Sequence, residues 1–164
     1  VRVAFLGPEG TFSHEAVLTA PGAARFELAP QPTIYDTVMA VHDGSARYGL
    51  VPIENSIEGS VNATLDALAM ETEDVAIVGE AVQPIRQCLI AAEPLELEQI
   101  EVVVSHPQAS GQCQRFIRTR LPGARVMAAS STADAVRIAI ERQDGRWAAL
   151  GNQLAAERYG GFVL

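Results

Sequence analysis

At 164 residues, 48% apolar and 20% charged, the chain has the makeup of a globular protein and is long enough to bury a real core, as one domain or two small lobes. Twenty acidic residues against twelve arginines, with no lysine, leave a net charge of −8. That balance argues against nucleic acid and anionic membrane surfaces as partners, and any anion site must bring its own local donors.

Val1 to Leu6 is an apolar run that stops at Gly7 and reads as a buried first strand. Ser13 then stands where an N-cap belongs, ahead of a helix opening at His14. Arg25 to Leu28 is a possible short strand between proline-marked loops, and Thr33 can cap a helix over Ile34 to His42 that Asp43-Gly44 closes. Tyr48 to Val51 is the next strand, Asn55 to Ser60 a loop, and Val61 to Met70 a helix with Val61, Leu65 and Leu68 on one face. A long β-rich stretch follows, Val75 to Val82 and Ile85 to Ala91, broken at Pro84; a strand pair here would be a crossover between two lobes. Ile100 to Val104 is a further strand, and a helix runs from about Gln108 to Arg120, ending before Pro122-Gly123. Arg125 to Ala128 is short and apolar. Ser131 or Thr132 caps a helix through Arg142 with Ala135, Ile138 and Ala139 facing inward. Gln143 to Gly145 is a turn, Trp147 to Leu150 a strand, Asn152 to Tyr159 a short helix, and Phe162 to Leu164 the start of a strand.

Strands alternating with helices imply an α/β fold with mainly parallel sheets, whose ligands sit beyond the carboxyl ends of the strands. Four loops occupy such ends: Gly7-Pro8-Glu9-Gly10-Thr11-Phe12-Ser13, Pro52 to Ser60, Ser105-His106-Pro107-Gln108 and Ser130-Ser131-Thr132-Ala133-Asp134. Each leads into a helical pattern, so each presents backbone N–H groups and hydroxyls where an anion is stabilised. A small, multiply anionic molecule suits this arrangement. Cys88 and Cys113, the only cysteines, form no C-x-x-C pair and have no histidine at zinc-like spacing, so two free thiols in a reducing cytosol are expected and no metal site is. No basic-then-apolar leader opens the chain, and no apolar run reaches membrane-spanning length.

The wording of the loops is more specific than their physics. Gly-Pro-Glu-Gly-Thr-Phe-Ser after the first strand, Val51-Pro52-Ile53-Glu54-Asn55-Ser56, Ser105-His106-Pro107-Gln108, the Ser-Thr-Ala-Asp-Ala run and Ala149-Leu150-Gly151 together resemble the prephenate dehydratases. Any one string would be weak; the ordered set, at the family's spacing and across essentially the whole chain, is strong. The resemblance implies two α/β lobes like those of type II periplasmic binding proteins, with the active site in the cleft between them. The lobes would comprise residues 1–79 plus 152–164, and 80–151. It also implies cytoplasmic phenylalanine biosynthesis, a homodimer or homotetramer, prephenate as substrate, and no cofactor or metal. One departure stands out. The family's Thr-Arg-Phe segment, whose threonine hydroxyl is thought to assist the leaving group, would follow just after Leu164, and Thr119-Arg120 is not that motif. The ACT-domain strings are absent too, so the chain is expected to be most of a catalytic domain without its C-terminal end.

What remains for this chain is the shell that holds the substrate. Asn55, Ser105, Gln112 and Glu54 are the residues expected closest to the chemistry. Asn55 brings an amide donor for a carboxylate or carbonyl, against an Asx-turn as the bland alternative. Glu54, acceptor-only when ionised, orients Asn55 or its loop. Ser105 donates to a carboxylate or merely caps. Gln112, seven residues on, falls on the same helical face and contacts substrate or solvent. Thr11, Phe12, Ser13, Ser56, His106, Ser131 and Thr132 are candidate substrate contacts. Thr11 and Ser13 offer hydroxyls, and Phe12 offers either a ring for the diene or a core side chain. Ser131 and Thr132 are caps first and anion donors second. His106 before proline braces its loop more readily than it acts as a general acid. No arginine lies in the loops, so anion binding is expected to rest on backbone and neutral donors. Two rivals remain open: an arogenate dehydratase of the same family, and a non-catalytic small-anion-binding module.

Overall fold

The computed structural model describes residues 1–57, 59–142 and 145–164. The turn expected at Gln143 to Gly145 lies mostly outside them. Chain contacts divide into two units, Val1–Gln83 and Pro84–Leu164.

The first unit is built on three parallel strands, β1 (Arg2–Leu6), β2 (Glu27–Gln31) and β3 (Tyr48–Leu50), in the order β2-β1-β3. Alternation along β1 decides which side chains go where. Val3 and Phe5 pack with Val17 of α1 (Phe12–Thr19), while Ala4 packs with Ala40 of α2 (Ile34–His42). Both faces are therefore covered, as a parallel sheet requires. Thr33 caps α2, as its sequence predicts. The cap of α1 is Thr11 and not Ser13, which lies inside the first turn. A two-stranded ribbon, β4 (Glu54–Asn55) with β5 (Gly59–Ser60), follows β3 and precedes α3 (Asn62–Met70). On α3 the buried residues are Thr64 and Ala67, and Leu65 is exposed, so its inward face is not the one that periodicity suggests.

The second unit carries five strands in the order β10-β6-β9-β7-β8. They are β6 (Cys88–Ala91), β7 (Val102–Ser105), β8 (Arg125–Ala128), β9 (Trp147–Gly151) and β10 (Phe162–Val163). β8, β7 and β9 run parallel, while β6 and β10 are antiparallel to their neighbours. One face buries Ile90, Val102, Val104 and Ala149 under α6 (Thr132–Glu141) and α7 (Gln153–Tyr159). The other buries Leu89, Val103, Ala148 and Leu150 under α4 (Pro107–Gln112) and α5 (Gln114–Arg120). The period of two along the central strands β6, β7 and β9 thus sorts their apolar side chains between two cores. Gly151 lets α6 close on β9: a Cβ there would lie 2.5 Å from Val136 Cγ2.

Two expectations are corrected here. Residues 152–164 belong with the second unit, not the first. α7 buries Ala155 and Ala156 in that unit's core, Gly160 turns the chain at φ 75°, and Phe162 pairs with Ala91. Strand order in sequence does not say which sheet a terminal strand joins; the short link through Gly160-Gly161 does. The stretch from Val75 to Val82 forms no strand, and Ile77, Val78 and Val82 are exposed. β-branched composition marks a capacity to pair, which is realised only where a partner strand lies alongside.

Candidate active-site loops

Parallel strands end on the same sheet edge, so each unit gathers its candidate residues at one edge. In the first unit, the edge beyond β1 and β3 carries the Gly7–Ser13 and Pro52–Ser60 loops. Gly10 turns the first of these at φ 89°. Thr11 is buried; its hydroxyl donates to Pro8 O at 2.9 Å and accepts the His14 N–H at 3.2 Å. It holds the turn from inside, and Phe12 and Ser13 are half-buried in the turn that follows. His14 lies beneath, buried, with Nδ1 accepting the Gly10 N–H at 2.9 Å and its ring stacked on Phe5 with centroids 5.1 Å apart. Burial disfavours the imidazolium and pulls the pKa of His14 below its ordinary value.

The second loop is shaped by Asn55. Its Oδ1 accepts the Ile57 N–H at 2.9 Å, an Asx-turn, and Asn55 pairs with Gly59 across the ribbon. Its side chain also carries an amide donor. Glu54 and Ser56 flank it, both exposed. The buried Thr64 hydroxyl donates to Pro52 O and anchors the start of the loop.

In the second unit, the edge beyond β7, β8 and β9 carries Ser105, His106, Ser131 and Thr132. Ser105 is buried and its hydroxyl donates to His106 O at 2.9 Å. His106 caps α4, Nδ1 accepting the Gln108 N–H at 3.3 Å, with Pro107 in the first helical position. Ser131 caps α6 by accepting the Asp134 N–H at 2.9 Å, and Thr132 is half-buried beside it. Asp134 is pushed up by burial but pulled down more strongly by hydrogen bonds from Arg137 and Ser130, so its carboxyl sits below the usual range. Asn152, at the end of β9, is buried and caps α7 through the Ala155 N–H at 2.9 Å.

Gln112 closes α4, half-buried, and its Oε1 meets Gln87 Nε2 at 3.5 Å. The helix expected to run on through Arg120 breaks here, at Cys113. Gln87 is the residue the sequence does not single out. It precedes the antiparallel strand β6, whose Cys88 pairs with Gly151, so it arrives at the same edge as the ends of the parallel strands. The far end of its amide, Oε1, is buried and has no hydrogen-bond partner. Among the described residues, no group of three or more His, Cys, Asp and Glu side chains gathers as metal ligands, and no helix is long and apolar enough to cross a membrane.

The chain matches the prephenate dehydratase family model over residues 3–164. It belongs to the prephenate dehydratase family. A bifunctional chorismate mutase/prephenate dehydratase from Aquifex aeolicus is 42% identical over 97% of this chain and 42% of that protein. Among solved structures, a prephenate dehydratase from Arthrobacter aurescens in complex with L-Phe superposes with a TM-score of 0.90. It is 37% identical and covers all of this chain and 54% of that one. A second, GqqA, described as a novel type of quorum quenching acylase, superposes with a TM-score of 0.84 at 29% identity over all of this chain and 58% of that one. The chain thus spans about half the length of the prephenate dehydratases and the neighbour it matches. Its α/β frame is that of the family.

Proposed function

We propose that the protein converts prephenate to phenylpyruvate and that the loops described above hold the substrate. One observation carries this reading: each loop motif that marks the family lies at the carboxyl end of a parallel strand, the edge where α/β sheets take ligands. The reaction breaks two bonds. The ring carboxylate leaves as CO₂, the electrons of that C–C bond enter the ring as it becomes aromatic, and the ring C–O pair departs with hydroxide. The protein must therefore fix two carboxylates and supply a donor to the departing oxygen.

Asn55 supplies an N–H donor to a carboxylate or carbonyl, with Glu54 orienting its loop. Gln112, with Gln87 against it, supplies a second amide. Ser13 and Ser56 add hydroxyls and Phe12 a ring. Ser105, Thr11, His106, Ser131 and Thr132 act mainly by holding the loops, because the hydroxyls of Ser105, Thr11 and Ser131 and the His106 ring already bond to backbone. Thr-Arg-Phe does not occur among these 164 residues. The same reading makes the protein a cytoplasmic biosynthetic enzyme acting as a homodimer or homotetramer.

One observation favours a second reading. The neighbour at a TM-score of 0.84 is described as an acylase, so the frame alone does not tie the chain to one reaction. The test is to titrate the 164-residue chain with prephenate and with arogenate, following heat of binding and phenylpyruvate formation, and to assay it for hydrolysis of an N-acyl amide. Saturable prephenate binding that Asn55→Ala weakens is expected. Preference for arogenate would move the substrate within the family. Neither binding nor turnover of prephenate, in this chain and in one extended through Thr-Arg-Phe, would overturn the reading.

A further inference from the structure

His14 carries chemistry that the loop motifs do not account for. It sits in the first turn of α1 and grips the Gly7–Ser13 loop at two points. Its backbone N–H donates to the Thr11 hydroxyl at 3.2 Å, and its ring Nδ1 accepts from Gly10 N at 2.9 Å. Gly10 is buried and turns at φ 89°, so its amide has no access to water and needs this acceptor. The ring is itself pinned, lying within 13° of parallel to the wholly buried Phe5 of β1. A neutral imidazole accepts at Nδ1 only with its proton on Nε2.

We propose that His14 is the positioning residue of the Gly7–Ser13 loop: its neutral ring fixes the loop's N–H groups and hydroxyls for an anionic group of the substrate, and a proton taken up at Nδ1 releases them. Protonation would set an N–H donor against the Gly10 N–H, which breaks the bond. Its charged neighbours along the chain are Glu9 in the loop and Glu15 on α1; of the elements packed on α1, β1 carries Arg2 at its far end and the helical turn carries Arg25. Burial is the one cause that shifts the ring, and it favours the neutral form. The substrate half of the inference rests on the proposed function; the loop half does not.

The test uses the 164-residue chain, first without any ligand. Long-range ¹⁵N–¹H spectra of the imidazole should show a bare Nδ1 and a protonated Nε2 at pH 7.5, and the Gly10 and His14 amides should exchange slowly. As His14 titrates, those amides should lose protection together. His14→Phe keeps a stacked ring without the acceptor; His14→Asn places Oδ1 near the Nδ1 position. Exchange at Gly10 should quicken about tenfold or more in His14→Phe and return toward wild type in His14→Asn, as for loss and recovery of one buried hydrogen bond. Prephenate affinity should follow the same order. A proton on Nδ1 at pH 7.5, or Gly10 protection indifferent to the titration of His14, would overturn the inference even if either variant fails to fold. Normal loop behaviour with no prephenate binding would sink the substrate reading alone. Prephenate held equally well by wild type and His14→Phe would refute the positioning role.

Discussion

Gln87 Nε2 lies 3.5 Å from Gln112 Oε1, while Gln87 Oε1 is buried with nothing to bond. An amide half engaged and half orphaned is poor for stability and well suited to a ligand that brings a donor. Replacing Gln87 with methionine, similar in volume and without the orphan acceptor, should leave stability unchanged or raise it by up to about 1 kcal/mol. The same change should weaken prephenate binding. Thermal melts and calorimetry on one preparation read both. A destabilised Gln87→Met that binds prephenate normally would make Gln87 a packing residue.

Asn55→Ala separates a turn from a site. The Asx-turn to Ile57 is an exposed bond at 2.9 Å, so losing it should cost no more than about 1 kcal/mol. If the amide also contacts substrate, prephenate affinity or turnover should fall about tenfold or more, the loss of a hydrogen bond to a charged group. Unchanged binding and turnover at an unchanged melting temperature would remove Asn55 from the site.

Ser131→Ala should behave in the opposite way. Its hydroxyl caps α6 at 2.9 Å from Asp134 N, and loss of an N-cap costs about 1 kcal/mol. Stability should drop by that amount and prephenate affinity by less than threefold. A large loss of affinity with little change in melting would instead identify Ser131 as a direct anion donor.

Acid should destabilise the chain in two stages. The folded-state pKa of His14 lies below its unfolded value, so the unfolded chain binds the extra proton. The stability His14 contributes is complete above about pH 6.5 and is lost as pH falls below that, toward the lowered folded value. The carboxyls of Asp134, held down chiefly by Arg137 and Ser130 against the effect of burial, and of Asp74, held down by His42, protonate later. Their contribution is present above the ordinary aspartate pKa of about 4 and disappears below it. Denaturant melts from pH 8 to 3 should show the first decline in wild type and not in His14→Asn. A decline at the same pH in both would assign it to another group.

The alternation of strands and helices, and nearly every element, was legible from periodicity and punctuation. β8 matches its expected bounds, Thr33 caps α2 as expected, and α4 starts within one residue of the expected Gln108. Those features depend on neighbours within a few residues, which a sequence displays directly. The loop motifs were equally legible, because their wording is local. What local pattern could not supply was partnership. The apolar content of Val75 to Val82 says that a strand is possible, yet a strand exists only beside another. The sheet that Phe162-Val163 joins depends on how far the chain can reach after Gly160. The roles of Thr11, His106 and Ser131 turned on which backbone group lies within hydrogen-bond reach of each side chain. Gln87 and His14 gain their interest from what their buried atoms meet, the first at the mouth of a sheet it enters antiparallel, the second beneath the loop that precedes it. Local elements and loop motifs follow from the order of residues. Which polar groups are buried, and what they meet there, follows from packing, because desolvation depends on neighbours in space and not along the chain.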